Sequence, residues 1–210
     1  MRMTAAEILR LNGDLRNPKD SEMMGIVRRF HVFALAHSLP YCVVGGMAVM
    51  RNGYPRTTMD VDILTVKKEW EKLLPVEGEI KSDGPESCVD TATGVTIDIL
   101  FADEDWQMVM DMPDPRKAGE YDSELGANFL NLHSLVQLKA AVYMDKLGEQ
   151  GANAAAKDQG DVFELIKRNM EKFSKEIIEG YHPAVRKQCM KAYREAEGVL
   201  KRERRRGKDG

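Results

Sequence analysis

The stretch Tyr41-Cys42-Val43-Val44-Gly45-Gly46-Met47-Ala48-Val49-Met50-Arg51-Asn52-Gly53-Tyr54-Pro55-Arg56-Thr57-Thr58-Met59-Asp60-Val61-Asp62-Ile63-Leu64-Thr65 organises the chain. Its apolar start, Tyr41 to Val44, reads as a short buried strand. Gly45 and Gly46 follow at once, and Met47 to Asn52 reads as a short helix closed by Gly53 and Pro55. A second strand is expected from near Met59, carrying Asp60 and Asp62.

Side chains alternate across a strand, so Asp60 and Asp62 are expected on one face, with Cα atoms roughly 6.6 Å apart. Val61 and Ile63 then point into a core. Two carboxylates on one face raise each other's pKa unless a cation lies between them, and hard carboxylate oxygens suit Mg²⁺. A glycine pair between strand and helix lets the backbone approach a ligand closely, and a helix start offers N–H groups to phosphate. A phosphate cradle beside paired carboxylates is the equipment of phosphoryl or nucleotidyl transfer.

Gly45-Gly46, thirteen intervening residues and then Asp60-Val61-Asp62 resemble the signature of the DNA polymerase β-like nucleotidyltransferase superfamily. The resemblance implies a third carboxylate on a later strand. Asp98, alone in the alternating run Thr96 to Phe101, is the candidate; it shares its face with Thr96 and Leu100, opposite Ile97, Ile99 and Phe101. The implied fold is α+β: a small mixed β-sheet core flanked by helices, with a C-terminal helical part. The expected organisation is a core over 1–130, a helical part over 131–200 and a basic tail over 201–210.

Composition sets the bounds. At 210 residues the chain can bury a real core, and 43% hydrophobic with 31% charged residues describes a soluble globular protein. A net charge of −3 gives no global attraction to nucleic acid, so any such attraction is local. No apolar run is long enough to span a membrane, and the first residues lack a signal peptide's apolar core, so a cytoplasmic location is expected. Cys42, Cys88 and Cys189 form no metal-ligand pattern and read as reduced thiols.

Thr4 to Leu11 reads as a helix with a Thr4–Glu7 capping box. Pro18 to Ser38 reads as one amphipathic helix, and Val66 to Leu74 as another. His31 and His37 read as core or surface histidines, since no second ligand pattern accompanies them. Two or three strands are expected over 77–101, with Asp90 either on a hairpin surface or a second acidic candidate for the site. A short helix is expected over 103–110, a charged loop with Arg116 and Lys117 over 112–124, and a last strand over 127–130. Leu132 to Lys146 reads as a helix whose apolar stripe contains Lys139; that amine either snorkels outward or serves a buried anion. In the next helical run, Lys157-Asp158-Gln159-Gly160-Asp161, the two aspartates share a face at i, i+3. Closing helices are expected over 173–180 and 183–201, and the basic run Lys201 to Lys208 as a solvated tail able to add phosphate contacts.

Lys139 and the Lys157-Asp158-X-X-Asp161 segment resemble the C-terminal helical part of the type IV abortive-infection toxin nucleotidyltransferases, the AbiEii-type branch. That resemblance implies that Lys139, Lys157, Asp158 and Asp161 help to hold the nucleotide, in addition to Gly45, Gly46, Arg56, Thr57 and Thr58. It implies that Asp60, Asp62 and Asp98 hold Mg²⁺ or Mn²⁺ and carry the chemistry. The implied reaction moves a nucleoside monophosphate from an NTP to an acceptor hydroxyl, with an RNA or tRNA end favoured and a cognate antitoxin as partner. The rivals are an inactive nucleotide-binding or protein-interaction module of the same fold and a small-molecule (antibiotic) adenylyltransferase.

Overall fold

The computed structural model describes residues 4–106 and 108–206, which fall into two compact units. The first takes the residues up to Glu104 together with Met112–Asn131; the second takes Asp105–Asp111 and the residues from Leu132 onward.

The first unit begins with α1 (Ala5–Asn12), where Thr4 accepts from the Glu7 amide and Glu7 reaches back to the Thr4 amide. The helix expected over 18–38 is divided. Pro18–Asp20 forms a 3₁₀ turn, and Ser21 then caps α2 (Glu22–Ala36) through the Met24 amide. A Ser hydroxyl that satisfies a helix-start amide makes a natural boundary. α2 buries Met23, Met24, Ile26, Val27, Phe30 and Ala34.

The remaining elements of this unit are β1 (Tyr41–Val43), α3 (Gly45–Arg51), β2 (Val61–Thr65), α4 (Lys67–Glu71), β3 (Ile80–Ser82), β4 (Ser87–Asp90), β5 (Thr96–Phe101), α5 (Pro115–Ala118), β6 (Gly119–Asp122) and β7 (Ala127–Leu130). Among the described residues the strands form one mixed sheet in the order β3-β4-β5-β2-β1-β7-β6. β2 lies at its centre, antiparallel to β1 and parallel to β5. Val61, Ile63 and Leu64 on β2 and Ile97 on β5 are fully buried, which fixes the register of the two strands that carry Asp62 and Asp98.

Several expectations are corrected here. The strand begins at Val61, so Asp60 sits on the bend that leads into it. The helix after β2 closes at Glu71. Residues 103–110 contain no helix among those described. Asp103 instead accepts the Lys67 amide at the start of α4, and Glu104 pairs with the Lys67 ammonium. The expected loop at 112–124 is ordered: Asp114 caps the Pro115 turn through the Arg116 amide, and β6 forms a hairpin with β7 in which Tyr121 faces Asn128. Asp90 is fully buried rather than on a hairpin surface. It accepts from Arg29 Nε and Nη2 at 2.6 and 2.9 Å and from Thr93 Oγ1 at 2.6 Å. Burial pushes the Asp90 carboxyl upward, but the Arg29 and Thr93 hydrogen bonds outweigh it and hold its pKa below the usual carboxylate range.

The second unit is helical: α6 (Leu132–Glu149), α7 (Ala152–Arg168), α8 (Lys175–Glu179) and α9 (Pro183–Arg206). Its core is built from Leu135, Val136, Val162, Leu165, Ile166, Val185 and Cys189. α9 continues through Arg206, so the described part of the basic run is helical, not a frayed tail; Gly207 and Lys208 lie outside the described residues. The three cysteines are buried free thiols, and burial pushes each up to about 12. Among the described residues no helix is long and apolar enough to cross a membrane.

Candidate active site

The register of the two central strands builds the site. β2 and β5 run parallel with Asp62 opposite Asp98, so the two carboxylate-bearing positions are cross-strand neighbours. Both residues are half-buried, while the flanking Val61, Ile63, Ile97 and Ile99 are buried. Asp98 thus shares its face with Thr96 and Leu100, as its alternating run predicts.

Gly45 fits against this pair. Its φ is +56°, and a Cβ built on it would lie 1.7 Å from Asp62 Oδ2. The carboxylate of Asp62 therefore packs on the bare Cα at the start of α3, a position that admits only glycine. The Val44 amide donates to the Asp62 carbonyl at 2.9 Å, which ties the strand–helix turn to β2. Gly46 serves the other side of the turn. A Cβ there would lie 2.5 Å from Thr58 Oγ1 and 3.3 Å from Arg56 Nη1. The two glycines are thus required by two different neighbours.

Thr58 orients Asp60. Its hydroxyl donates to Asp60 Oδ1 at 2.9 Å, and Thr58 itself is buried. The Arg56 guanidinium, half-buried beside Gly46, donates to the Thr57 carbonyl at 3.2 Å. Thr57 is exposed. The pKa of Asp98 is raised, first by burial and then by the Asp60 charge, which reaches it through space.

Asn12 is the site residue that sequence reading missed. Fully buried at the end of α1, it donates from Nδ2 to the Thr58 carbonyl at 2.7 Å and accepts the Thr58 amide at Oδ1 at 2.9 Å. One side-chain amide thereby satisfies both backbone groups of the residue that holds Asp60. Local sequence reads Asn12 as a helix end, and nothing local reports a partner 46 residues away.

The other predicted residues gather in the second unit. Lys139 is buried on α6, and its Nζ lies 3.0 Å from Asp158 Oδ1 and 3.1 Å from Asp161 Oδ2 on α7. Lys146 Nζ meets the other Asp158 oxygen at 2.7 Å. Of the two readings left open for Lys139, the structure selects the buried anion, supplied by the chain's own aspartates. Burial pushes Asp158 up, but Lys139 and Lys146 outweigh it and hold its pKa low. Lys157 is exposed one position before Asp158.

The Asp62 carboxylate against Gly45, with Asp98 opposite it on β5, offers hard oxygen donors of the kind that fit Mg²⁺ or Mn²⁺. Among the described residues no three His, Cys, Asp or Glu side chains converge as a ready-made ion cage; strand register pairs Asp62 with Asp98, and Asp60 sits on the bend just before β2.

No family model matches the chain, and no curated protein matches it. Solved structures do. An antigenic nucleotidyltransferase-like protein from Paracoccidioides brasiliensis aligns at 17% identity and a TM-score of 0.50, over 69% of this chain and 75% of that one. The antibiotic-resistance factor ANT(2'')-Ia aligns at 13% identity and a TM-score of 0.46, over 88% of this chain and 98% of that one. ANT(2'')-Ia in complex with adenylyl-2''-tobramycin aligns at 11% identity and 0.49, over 82% and 99%. The first likeness defines the class: the chain has a nucleotidyltransferase-like α+β fold.

Proposed function

We propose that the chain is a metal-dependent nucleotidyltransferase that moves a nucleoside monophosphate from an NTP to an acceptor hydroxyl. The observation that carries this reading is the in-register pair Asp62 and Asp98, with the Asp62 carboxylate seated on the Cα of Gly45. A side chain at Gly45 would destroy that seat, so the backbone and the acidic strand are built around each other.

In this reading Asp60, Asp62 and Asp98 hold Mg²⁺ or Mn²⁺, which when bound neutralises triphosphate charge and acidifies the attacking hydroxyl. The amides of Gly45 and Gly46 donate to phosphate oxygens, and the Arg56 guanidinium beside Gly46 adds a fixed positive charge. Thr57 and Thr58 border the nucleotide, and Thr58 keeps Asp60 turned by donating to Oδ1. Asp98 also accepts the proton of the acceptor hydroxyl. The acceptor oxygen bonds to the α-phosphorus as the bond to pyrophosphate breaks. The resemblance of Lys139 and Lys157-Asp158-X-X-Asp161 to the AbiEii-type branch supports an RNA or tRNA end as acceptor, a nucleotide-holding role for that segment and a toxin–antitoxin setting.

The test offers total tRNA to the purified protein with Mg²⁺ or Mn²⁺ and each α-labelled NTP in turn, alongside Asp60→Ala/Asp62→Ala. Label entering RNA only with the parent protein is the expected result. Label on the protein alone redirects the acceptor to protein. Metal-dependent NTP binding with no transfer to RNA, protein or an aminoglycoside makes it a binding module, and no NTP binding removes the site assignment.

A further inference from the structure

A second feature lies wholly within the helical unit and is independent of the proposed chemistry. α6 and α9 enclose an open cleft of about 700 Å³. Its apolar lining comes from Tyr143, Met144 and Leu147 on α6 and Met190 on α9; Leu147 is 42% exposed. One wall carries Lys187, Lys191 and Arg194, at i, i+4 and i+7 along α9. All three are exposed, and among the described residues none has a salt-bridge partner, whereas Lys167, Arg168 and Lys201 of the same unit pair with Glu203, Glu164 and Glu197. Glu195 is the acidic residue of the lining, leaving a net excess of positive charge.

We infer that this cleft is a docking groove for an acidic amphipathic helix of a partner protein. The floor and the wall each narrow the choice. Methionine and leucine side chains pack branched and unbranched aliphatic groups and adapt to their shape. Nucleic-acid strands seek successive aromatic platforms, and Tyr143 is the single ring in this lining. Along the wall the cations span about 10 Å at roughly 1.5 Å per residue. A helix laid in the groove presents its own i, i+4 and i+7 positions at that same repeat. Apolar anchors on one stripe and carboxylates beside it therefore meet the floor and the wall together.

The probe is a labelled 16-residue peptide with leucines at i, i+3, i+4 and i+7 and glutamates along one flank. Its controls replace the glutamates by lysines or scramble the order. Fluorescence polarisation is read against the full chain and against Lys187→Glu/Lys191→Glu, Lys187→Gln/Lys191→Gln and Leu147→Asp. These positions are exposed, and matching circular dichroism melts establish that each variant is folded; the neutral pair serves if the reversed pair does not fold. The parent should bind the glutamate peptide at least tenfold tighter than either control. Charge reversal should invert the preference toward the lysine peptide, the neutral pair should abolish it, and Leu147→Asp should weaken both peptides at least tenfold. Equal or undetectable binding by the parent, or indifference to the variants, overturns the proposal. So does displacement of the peptide by a tighter-binding single-stranded oligonucleotide, or a dimer in light scattering that Leu147→Asp converts to monomer, which would assign the groove to a second copy.

Discussion

Gly45 and Asn12 show how unequally single residues announce themselves. The glycine pair is legible because it falls between a strand and a helix, and its requirement is steric: a Cβ at Gly45 meets Asp62 Oδ2 at 1.7 Å, at a positive φ. Gly45→Ala should therefore lower stability by about 1–3 kcal/mol and reduce nucleotidyl transfer by about 100-fold or more, since a displacement of about 1 Å at a reacting centre suffices for that loss. Urea denaturation and initial-rate assays of the same preparation separate the two effects; an active, fully stable Gly45→Ala protein would remove the glycine from the site. Asn12 is illegible for a physical reason. Its two hydrogen bonds to Thr58 depend on tertiary packing of α1 against a bend far along the chain, and sequence periodicity carries no such information. Asn12→Ala leaves two buried backbone groups of Thr58 unsatisfied, at about 1–3 kcal/mol each. The expected outcome is a lowered urea midpoint together with a lowered kcat, because Thr58 holds Asp60, while KM for NTP changes less. A variant that loses stability but keeps kcat would make Asn12 structural only.

Elements are most legible where the hydrophobic pattern is local. The strand Thr96 to Phe101 is readable to the residue, because its alternation is strict; the division of the 18–38 helix at Ser21 and the ordered hairpin of β6 are not, because a cap and a partner strand decide them. Ion pairs between elements belong with the unreadable part. Arg29 on α2 reaches Asp90 at the end of β4, and it holds that carboxyl below its unfolded pKa. The sign follows from the shift: a depressed carboxylate stabilises the fold above its unfolded pKa of about 3.9, and that stability is lost as pH falls toward the lower folded value. The parent should lose stability on acidification from about pH 5 downward more steeply than Asp90→Asn, read as urea midpoints across that range. Equal slopes would mean that Asp90 is not linked to folding. Between α6 and α7 the ammonium of Lys139 faces two buried carboxylates. Lys139→Met should destabilise the protein by about 3–5 kcal/mol by removing the cation these buried carboxylates share, although Asp158 keeps Lys146, and adding Asp161→Leu should recover part of the loss. Nucleotide affinity measured on the same variants separates a binding role for Lys139 from this structural one: affinity unchanged where stability falls would leave only the structural role.

At the scale of the whole molecule, charge is distributed against its own average. The chain carries a formal net charge of −3, yet α9 ends in Lys201, Arg202, Arg204, Arg205 and Arg206, interrupted only by Glu203. Its helical form alters what the run can do. A disordered tail spreads its cations over many positions, whereas a helix fixes them about 1.5 Å apart along one axis and presents them as a persistent local field. Two members of the neighbourhood are partly neutralised, since Lys201 pairs with Glu197 and Glu203 with Lys167. The arginines are the groups that remain for an external polyanion, and among the described residues none of Arg202, Arg204, Arg205 or Arg206 forms a salt bridge. If RNA is the acceptor, this segment supplies affinity for its phosphates without taking part in the chemistry. Replacing Arg202, Arg204, Arg205 and Arg206 together by Gln should then raise KM for RNA and flatten its salt dependence. The slope of log affinity against log salt should fall by about 0.7 for each phosphate of a single strand that the arginines no longer neutralise. KM for NTP should stay constant, because the nucleotide is held elsewhere in the proposed reading. Filter binding of tRNA from low to moderate salt, with NTP kinetics in parallel, measures both. An unchanged salt slope would exclude the helix end from RNA binding, and a joint rise in both KM values would mean that the substitutions disturb the fold rather than one ligand.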